Sequence, residues 1–290
     1  MKKNKLFDYF RIMVPYYIPI AIVGAFVGIT TSGGIFDLNI LLAFLSLGLL
    51  VGAFNTFNGI ADYRIDRINK PYRPIPSGKI SRKTAFFYAI ILYALSLLIA
   101  SQLTTEFFII MLLSTIITLF YSLPFVRLKK RFIWSNISGA IFYGLLCPLA
   151  GWSLIPTNPI PIFLIGFIFL LTFSLSVTKD FEDIRGDRAF SIKTFPIKLG
   201  LKGSVLITSL SLIISFAYIT FLIALKILEA KFAIVLLTVP AFLYLIQKMY
   251  AKPKSVYNSI GESIGARKIF FMLIGLGIVV EILIGIIALV

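Results

Sequence analysis

Apolar residues occur along the chain in long blocks that short polar connections separate, without the strict alternation of a membrane strand. Blocks of about twenty residues are long enough to cross a bilayer as helices. Inside lipid every backbone polar group must be satisfied within the protein, which favours helices for such blocks. The pattern predicts nine transmembrane helices, at about 12–33, 39–60, 84–103, 105–123, 133–154, 160–178, 204–225, 231–247 and 269–290.

The composition agrees with a membrane protein. Hydrophobic residues make up 59% of the chain and charged residues only 14%, too few to cover the surface of a soluble protein of this length. One cysteine, Cys147, and no histidine exclude an internal disulfide, a multi-cysteine metal site and histidine-dependent catalysis.

A net charge of +16 is also typical of nucleic-acid binding, but the placement of the charge argues against it. All but two of the 28 lysines and arginines, Lys226 and Lys231, lie in the N-terminal tail and in alternate connections. This asymmetry predicts an integral protein of the cell membrane with a cytoplasmic N-terminus. The longer, basic connections are then cytoplasmic too: 61–83, 124–132, 179–203 and 248–268. We therefore expect contacts with membrane lipids, but no nucleic acid and no obligate protein partner.

Two acidic clusters follow the second and the sixth predicted helices. In a helix the members of each cluster share one face, since they lie three or four residues apart. The pair Asp62 and Asp66 recurs 121 positions later as Asp183 and Asp187, so two similar helix ends are expected to face one cavity. The clusters comprise Asn58, Asp62 and Asp66, and Asp180, Asp183 and Asp187.

Oxygen ligands crowded on one stripe repel each other unless a cation lies between them, and Mg²⁺ suits such a site. Basic residues surround both clusters, as a diphosphate would require. Structural ion pairs explain one such cluster as well as a metal does, but two similar clusters at one membrane face favour a shared binding site. The neighbouring bases are Arg64, Arg67, Lys70, Arg73, Lys179, Arg185 and Arg188.

The motifs resemble those of the UbiA superfamily of membrane prenyltransferases. Residues 58–66 with Arg73-Pro-Ile-Pro-Ser-Gly78 resemble its first signature, and residues 179–187 with Lys193-Thr-Phe-Pro196 resemble the second. Residues 121–129 are similar to a third family element. The resemblance covers essentially the whole chain. It implies one transmembrane domain over residues 1–290, with motif loops at about 55–83 and 179–203, and an all-α bundle of about nine helices around a central cavity that opens to the cytoplasm.

The resemblance also implies the chemistry, which is the Mg²⁺-dependent transfer of an isoprenyl group from its diphosphate to a lipophilic acceptor, with two ions expected. The metal ligands it implies are Asn58, Asp62, Asp183 and Asp187. The catalytic residues it implies are Asp62, Asp66, Asp183, Asp187, Lys179 and Tyr121. The diphosphate contacts it implies are Asn58, Arg67, Arg73, Arg127, Lys129 and Asp180. In one departure, Gly59 stands where the first motif often has aspartate.

Several acceptors stay open. The residues around both motifs most resemble the branch that builds archaeal ether lipids and the chlorophyll synthase-like branch. The first implies a geranylgeranyl donor and geranylgeranylglyceryl phosphate as acceptor. An aromatic or quinone-type acceptor, or esterification of a tetrapyrrole, is the alternative. A cation transporter is the rival class, although transporter sites usually lie near the bilayer midplane and these acids fall at helix ends.

Two features inside the apolar blocks have a functional and a structural interpretation. Glu281 lies midway along the last block, where a carboxylate is either a functional group or a hydrogen-bond partner of a neighbouring helix. Pro148 and Gly151 either kink the fifth helix and widen a lateral opening, or pack against a neighbour.

Overall fold

The computed structural model of the protein describes residues 5–156, 158–251 and 263–290, and these form helices without any strand. The predicted all-α class is therefore confirmed. The α-helices of the described residues are α1 (Lys5–Ile12), α2 (Ile18–Thr31), α3 (Leu38–Ala61), α4 (Tyr63–Asn69), α5 (Arg82–Ala100), α6 (Thr105–Ser122), α7 (Trp134–Gly139), α8 (Cys147–Trp152), α9 (Ile162–Ser176), α10 (Ile184–Ala189), α11 (Phe195–Ala224), α12 (Val239–Ala251) and α13 (Ser263–Ala288). The other helical segments are the 3₁₀-helices Pro15–Tyr17, Leu128–Lys130, Val177–Glu182 and Ala230–Thr238, and the π-helix Ala140–Leu146.

Seven helices of the described residues are long and apolar enough to cross a membrane, and the pair Lys5–Ile12 and Pro15–Thr31, bent by 42°, makes an eighth. The fifth predicted helix, 133–154, is divided among α7, the π-helix and α8. Each part is too short to span a bilayer alone. The count of nine therefore stays a prediction, and most of the predicted connection 248–268 lies outside the described residues.

Side-chain caps begin three of the long helices. The Asp37 carboxylate accepts from the Ile40 amide at 2.9 Å, Ser81 accepts from Thr84 at 3.0 Å, and Thr104 accepts from Phe107 at 3.1 Å. Each cap satisfies a backbone amide that has no partner within its helix. The cap at Thr104 separates α5 from α6, as the sequence predicted.

Most of the buried apolar residues form two cores, one in each half of the chain, and a small third cluster comprises Ile12, Ile75, Ile80 and Ala85. The first runs from Ala21 to Ala150 and is built by α2, α3, α5, α6, α8 and the π-helix. The second includes Val27 of α2 and residues 164–284 of α9 to α13. Because α2 contributes to both cores, it joins the two halves along one side of the cavity between them.

The backbones of α2 and α8 touch because glycines line their contact. A Cβ atom on Gly28 would overlap the Pro148 carbonyl oxygen, and one on Gly151 would overlap the Ala25 carbonyl oxygen. Small residues allow this approach between helices in membranes. Of the two sequence-based interpretations of Pro148 and Gly151, the structure supports packing against a neighbouring helix.

Candidate active site

Both acidic motifs are placed where a long helix gives way to a short one. Asp62 joins α3 to α4 with φ −94° and ψ 9°, and Asp183 joins the 3₁₀-helix Val177–Glu182 to α10 with φ −105° and ψ 0°. These angles belong to the bridge region, which is sparsely populated and common in active sites. The two joints repeat each other, as the sequence repeat suggested.

Backbone hydrogen bonds keep the members of each acidic cluster at helical spacing across the junction between the two helices. The amide of Asp62 donates to Asn58 at 2.9 Å and that of Asp66 to Asp62 at 2.8 Å. In the second motif the amide of Asp187 donates to Asp183 at 2.9 Å. Members of each motif therefore keep helical spacing even though the helices break.

A cavity of about 120 Å³, partly open to the outside, lies between the two halves. Residues of both acidic motifs line it, together with four basic side chains and an aromatic wall. The predicted site residues in its lining are Asn58, Asp66, Arg73, Tyr121, Lys129, Lys179, Asp180 and Asp183. Both motifs thus meet at one cavity.

Basic side chains hold the first motif. Asp62 is buried and pairs with Lys129 and with Arg127, whose Nη2 lies 3.2 Å from Asp62 Oδ1. Asp66 is buried and accepts from Arg73 Nη1 at 3.0 Å. Burial of these carboxylates is possible because each has a charged partner.

Lys70 links the first motif to the second. Its Nζ lies 2.6 Å and 2.8 Å from the two Asp183 oxygens and 2.9 Å from Glu182 Oε1. Burial opposes the charge on Lys70, but the Asp183 and Glu182 carboxylates outweigh it and raise the Lys70 pKa above its ordinary value. Burial likewise disfavours ionised Asp183, but the Lys70 ammonium, with help from Lys129, lowers the Asp183 pKa.

Asn69 holds the two motifs together through the backbone. Its Nδ2 donates to the Asp183 carbonyl at 2.9 Å, and its Oδ1 accepts from the Gly186 amide at 2.7 Å. A Cβ atom on Gly186 would lie 2.5 Å from Asn69 Nδ2. Glycine at position 186 therefore lets α4 and α10 approach closely enough for both bonds.

Some buried carboxylate oxygens of the second motif have no partner. Asp187 is 1% exposed, and neither of its oxygens has a hydrogen-bond partner among the described residues; the same holds for Asp180 Oδ2. Burial raises the Asp187 pKa to about 8, while Lys129 opposes the rise and the nearby Asp183, Asp180 and Asp62 add to it. Buried oxygens without donors suit a hard divalent cation.

The described residues contain no group of three or more acidic, cysteine or histidine side chains arranged to hold a metal by themselves. The donor set nevertheless fits Mg²⁺, because this ion usually takes one or two carboxylates and completes its shell with water and phosphate oxygens. The unpartnered oxygens of Asp180 and Asp187 are the groups in this structure most in need of a cation.

Lys179 differs from the other bases of the cavity. Among the cavity-lining cations that the structure describes, it alone lacks a carboxylate within ion-pair distance. Its Nζ donates to Tyr121 Oη at 3.3 Å and to Ser135 Oγ at 3.2 Å, and it lies 5.3 Å from the Tyr121 ring centre. An ammonium held by neutral groups keeps its charge available for an anionic ligand.

Aromatic side chains form the wall next to the polar groups. The ring centres of Phe54 and Tyr121 lie 5.3 Å apart in an edge-to-face arrangement, and Tyr17 stacks near Tyr143 at 6.4 Å. All four line the cavity. The lining of the cavity therefore combines charged groups with an aromatic wall, as an allylic diphosphate would require.

The remaining predicted site residues lie off the cavity lining. Asp62 and Asp187 are buried behind it. Arg127 reaches Asp62 from outside the cavity. Arg67 is exposed and lies over the Tyr63 ring, 5.9 Å from its centre, so the geometry gives no support to its predicted diphosphate contact.

Sequence analysis assigned no role to several residues that the structure places at the site. Asn69 lies in the predicted motif loop 55–83 and Glu182 lies inside the second motif, so proximity to the aspartates was the available signal. Lys70 was counted among the neighbouring bases, but its link to Asp183 was not predicted. Arg267 gave no such signal. It donates to Tyr72 Oη at 2.7 Å and lies 3.8 Å from Glu182 Oε2, which ties α13 to both motif loops.

Two other positions singled out in the sequence lie apart from the cavity. Glu281 is 4% exposed, and its Oε2 has no hydrogen-bond partner in the described part of the chain. A Cβ atom on Gly59 would meet Ile75 Cδ1 at 3.5 Å, an ordinary contact. Neither residue belongs to the cavity lining.

Curated proteins and solved structures resemble this chain over much of its length. The chain is 38% identical to a digeranylgeranylglyceryl phosphate synthase from Methanosphaera stadtmanae, over 60% of this chain and 63% of that protein. It is 34% identical to a protein of the same name from Methanobrevibacter smithii, over 72% of this chain and 75% of that one. The chain thus spans slightly less than two thirds of the length of the Methanosphaera relative.

The fold has a counterpart in the structure of a UbiA homolog from Archaeoglobus fulgidus bound to DMAPP and Mg²⁺. The TM-score is 0.71, with 21% identity over 94% of this chain and 99% of that one. The model of the UbiA prenyltransferase family matches residues 18–259, most of the chain. The motifs, the fold and this match together show that the chain belongs to the UbiA prenyltransferase family.

Proposed function

We propose that this protein transfers the geranylgeranyl group of geranylgeranyl diphosphate to geranylgeranylglyceryl phosphate, with Mg²⁺ as cofactor. The cavity between the halves carries this proposal. Residues of both acidic motifs, four bases and an aromatic wall line it. Such a cavity suits a substrate with a charged diphosphate at one end and an apolar chain at the other.

Charge balance explains why a divalent cation is needed. Of the described residues that line the cavity, four are basic (Lys70, Arg73, Lys129 and Lys179) and four are acidic (Asp66, Asp180, Glu182 and Asp183). A lining without net charge does not attract a diphosphate anion strongly. Added cations supply the attraction and stabilise the leaving diphosphate.

We assign the cation-binding groups to both motifs, with two Mg²⁺ ions in all. Asn58 and Asp62 would serve one ion, and Asp183 and Asp187 the other, with Asp66 and Asp180 supporting them. The buried, unpartnered oxygens of Asp187 favour this assignment. Through the ions that they hold, these groups would orient the diphosphate.

The basic residues and Tyr121 act on the diphosphate. Lys179 has no competing carboxylate, so its ammonium contacts a diphosphate oxygen beside Tyr121 Oη. Lys129 and Arg73 lie on the cavity wall, each with an aspartate partner, and an incoming diphosphate offers them further oxygens. Arg127 stabilises Asp62 from outside the cavity.

In the reaction the allylic C–O bond breaks, and diphosphate leaves with the bonding electrons. The acceptor hydroxyl forms the new C–O bond at the same carbon, and its proton passes to the departing diphosphate. The aromatic wall excludes water and places π faces beside the allylic carbon, where positive charge develops.

The names of the relatives support the choice of acceptor. The Methanosphaera and Methanobrevibacter proteins are called digeranylgeranylglyceryl phosphate synthases, and the fold neighbour was solved with DMAPP and Mg²⁺. Both motifs and three of the four residues of the aromatic wall, Phe54, Tyr121 and Tyr143, lie within residues 18–259, which match the family model.

We further propose that the protein lies in the cell membrane as a single domain over residues 1–290, with the N-terminus and both motif loops cytoplasmic. Nine spans, the broken helix of α7, the π-helix and α8 among them, would enclose the cavity and leave it open to the cytoplasm. The distribution of basic residues supports this orientation.

The test is a panel of acceptors offered to the purified protein with labelled geranylgeranyl diphosphate, with products identified by mass. We expect product with geranylgeranylglyceryl phosphate, none after removal of Mg²⁺ with EDTA, and recovery when Mg²⁺ is restored. Transfer only to an aromatic or quinone acceptor would show that the proposed acceptor is wrong, although the protein would still be a prenyltransferase. Cation flux in liposomes without transfer to any acceptor would overturn the proposal.

A further inference from the structure

A second cavity, of about 320 Å³, lies outside the active-site cavity and shares none of its lining residues. Four basic side chains line it: Arg64, Arg82, Arg127 and Lys130. Apolar and aromatic residues, among them Ile60, Tyr63 and Phe190, complete the wall. We name it the basic pocket.

The charge in the basic pocket is not balanced. Arg127 has a carboxylate partner in Asp62. The other three bases form no ion pair with the described residues, and no described acidic residue lines the pocket. Like charges gathered in one concavity repel each other, so the pocket creates a positive potential that attracts an anion.

Individual donors also point to a ligand. The Arg127 Nε atom is buried and has no hydrogen-bond partner among the described residues, while Nη2 donates to the Ala61 carbonyl at 3.1 Å. Arg82 lies 5.5 Å from the centre of the Tyr63 ring. Arginine donors beside an aromatic face suit a phosphate group with an apolar portion attached.

The pocket lies at the level where helices leave the bilayer. Ala61 ends one candidate membrane span and Arg82 begins the next. Lipid phosphates occupy this level of a membrane, and basic pockets between transmembrane helices bind the headgroups of anionic lipids. The site is therefore reachable by a lipid that stays in the bilayer.

We propose that the basic pocket binds the phosphate headgroup of an anionic membrane lipid, at a site separate from the prenyl-transfer cavity. Arg64, Arg82 and Lys130 supply the charge, and Ile60 and Phe190 contact the glycerol end of the lipid. This binding is independent of prenyl transfer, so an inactive protein would still show it.

The experiment is native mass spectrometry of the full chain in detergent with added dioleoylphosphatidylglycerol or dioleoylphosphatidylcholine. The test variant is R64Q/R82Q. Both side chains are exposed, so the fold should survive, and the melting temperature of the variant checks this. The matched control is K198Q/K202Q, which removes the same charge from exposed residues outside both cavities.

We expect the wild type and the control to retain one phosphatidylglycerol, and the test variant to bind it roughly tenfold or more weakly, since each basic residue near the surface contributes to lipid attraction. Equal retention by the test variant and the wild type, or equal retention of phosphatidylcholine, would overturn the proposal. Inorganic phosphate at about 10 mM should not displace the lipid, because it lacks an apolar part. Displacement would mean that the pocket binds free phosphate rather than a lipid headgroup, and would overturn the proposal.

Discussion

Asp62 and Asp187 each belong to an acidic cluster that crosses a helix junction, yet their surroundings differ. Asp62 is neutralised by Lys129 and Arg127. Asp187 is as deeply buried, but its two oxygens have no hydrogen-bond partner in the described residues. A buried carboxylate without a partner destabilises the fold. A cation that binds at Asp187 would therefore stabilise the protein more than one that binds at Asp62.

Asp187→Asn should therefore lower the rate of prenyl transfer roughly 100-fold or more, as removal of one charge-stabilising group commonly does, without lowering the melting temperature. Product mass and thermal unfolding measure the two effects. The matched control is Asp8→Asn, at a buried aspartate that pairs with Lys79 away from the cavity. Transfer by Asp187→Asn within threefold of the wild type would contradict the assignment.

The stability of the metal-free protein should fall as pH rises. The ordinary pKa of Asp187 is 3.8, and burial raises it to about 8 in the folded chain. Between these values the unfolded carboxyl has lost its proton and the folded one keeps it, so the free energy of unfolding decreases with pH, by at most about 1.4 kcal/mol per pH unit. Melting temperatures in EDTA from pH 6 to 8 measure this. Asp187→Asn should show a flatter profile; an equally steep one would assign the dependence to another group.

At the scale of elements, short helices position the site. Helices α4 and α10 each follow a joint with bridge-region angles, and the side chain of Asn69 ties them through two hydrogen bonds. Gly186 leaves the room that this contact needs. The relative position of the two motifs therefore depends on one amide side chain and one missing Cβ atom.

Asn69→Ala should lower stability by roughly 1–3 kcal/mol, because it leaves the Asp183 carbonyl and the Gly186 amide without a partner, and should raise the KM for the prenyl diphosphate. Gly186→Ala should also destabilise, since its Cβ atom would meet Asn69. In the Asn69→Ala background the same change should cost roughly 1 kcal/mol less. Melting temperatures and KM values of the two single variants and the double variant measure this coupling, and strict additivity would contradict it.

The contact between α2 and α8 gives a second prediction at this scale. Gly28→Ala should push the two helices apart, at a cost of about 1–3 kcal/mol, and lower the melting temperature. Gly275→Ala is the matched control in α13, where a Cβ atom has no neighbour within 4 Å. The control should be neutral or slightly stabilising because alanine favours helix. Equal effects of both changes would show that the close approach is unimportant.

At the scale of the whole molecule, the cavity exists because two cores pack side by side and leave space between them. Each half contributes one acidic motif, and α2 belongs to both cores. The two copies of the acidic repeat in the sequence thus lie in two walls of one site. The bases that balance these walls lie on both halves as well: Lys70 in the first half pairs with Asp183 in the second.

The orientation proposed for the molecule can be tested with single cysteines, because Cys147 is the chain's only one and is buried. In a Cys147→Ala background, Lys198→Cys and Glu229→Cys place thiols at exposed positions near the two ends of α11. A membrane-impermeant maleimide should label Glu229→Cys in intact cells, and Lys198→Cys only after permeabilisation. The reverse pattern would invert the topology, and labelling of both in intact cells would exclude a span between them.

Seven apolar helices and the spacing within each motif could be predicted from the sequence, because each depends on local periodicity or on composition. Helices of the right length follow from runs of apolar residues, and the acidic stripes follow from residues three or four apart. The repeat of Asp62 and Asp66 at Asp183 and Asp187 is visible in the letters alone.

Only the tertiary structure decided how charges pair. Lys129 is 67 residues from Asp62, and Lys70 is 113 residues from Asp183, so no local pattern connects them. The same packing leaves Lys179 without a carboxylate, places Arg67 outside the cavity, and assembles the basic pocket from four separate segments. Side chains that are distant in sequence meet where helices cross, and the crossing depends on details such as the missing Cβ atoms of Gly28 and Gly186. Sequence periodicity therefore determined which groups face inward, and helix packing determined which of them meet.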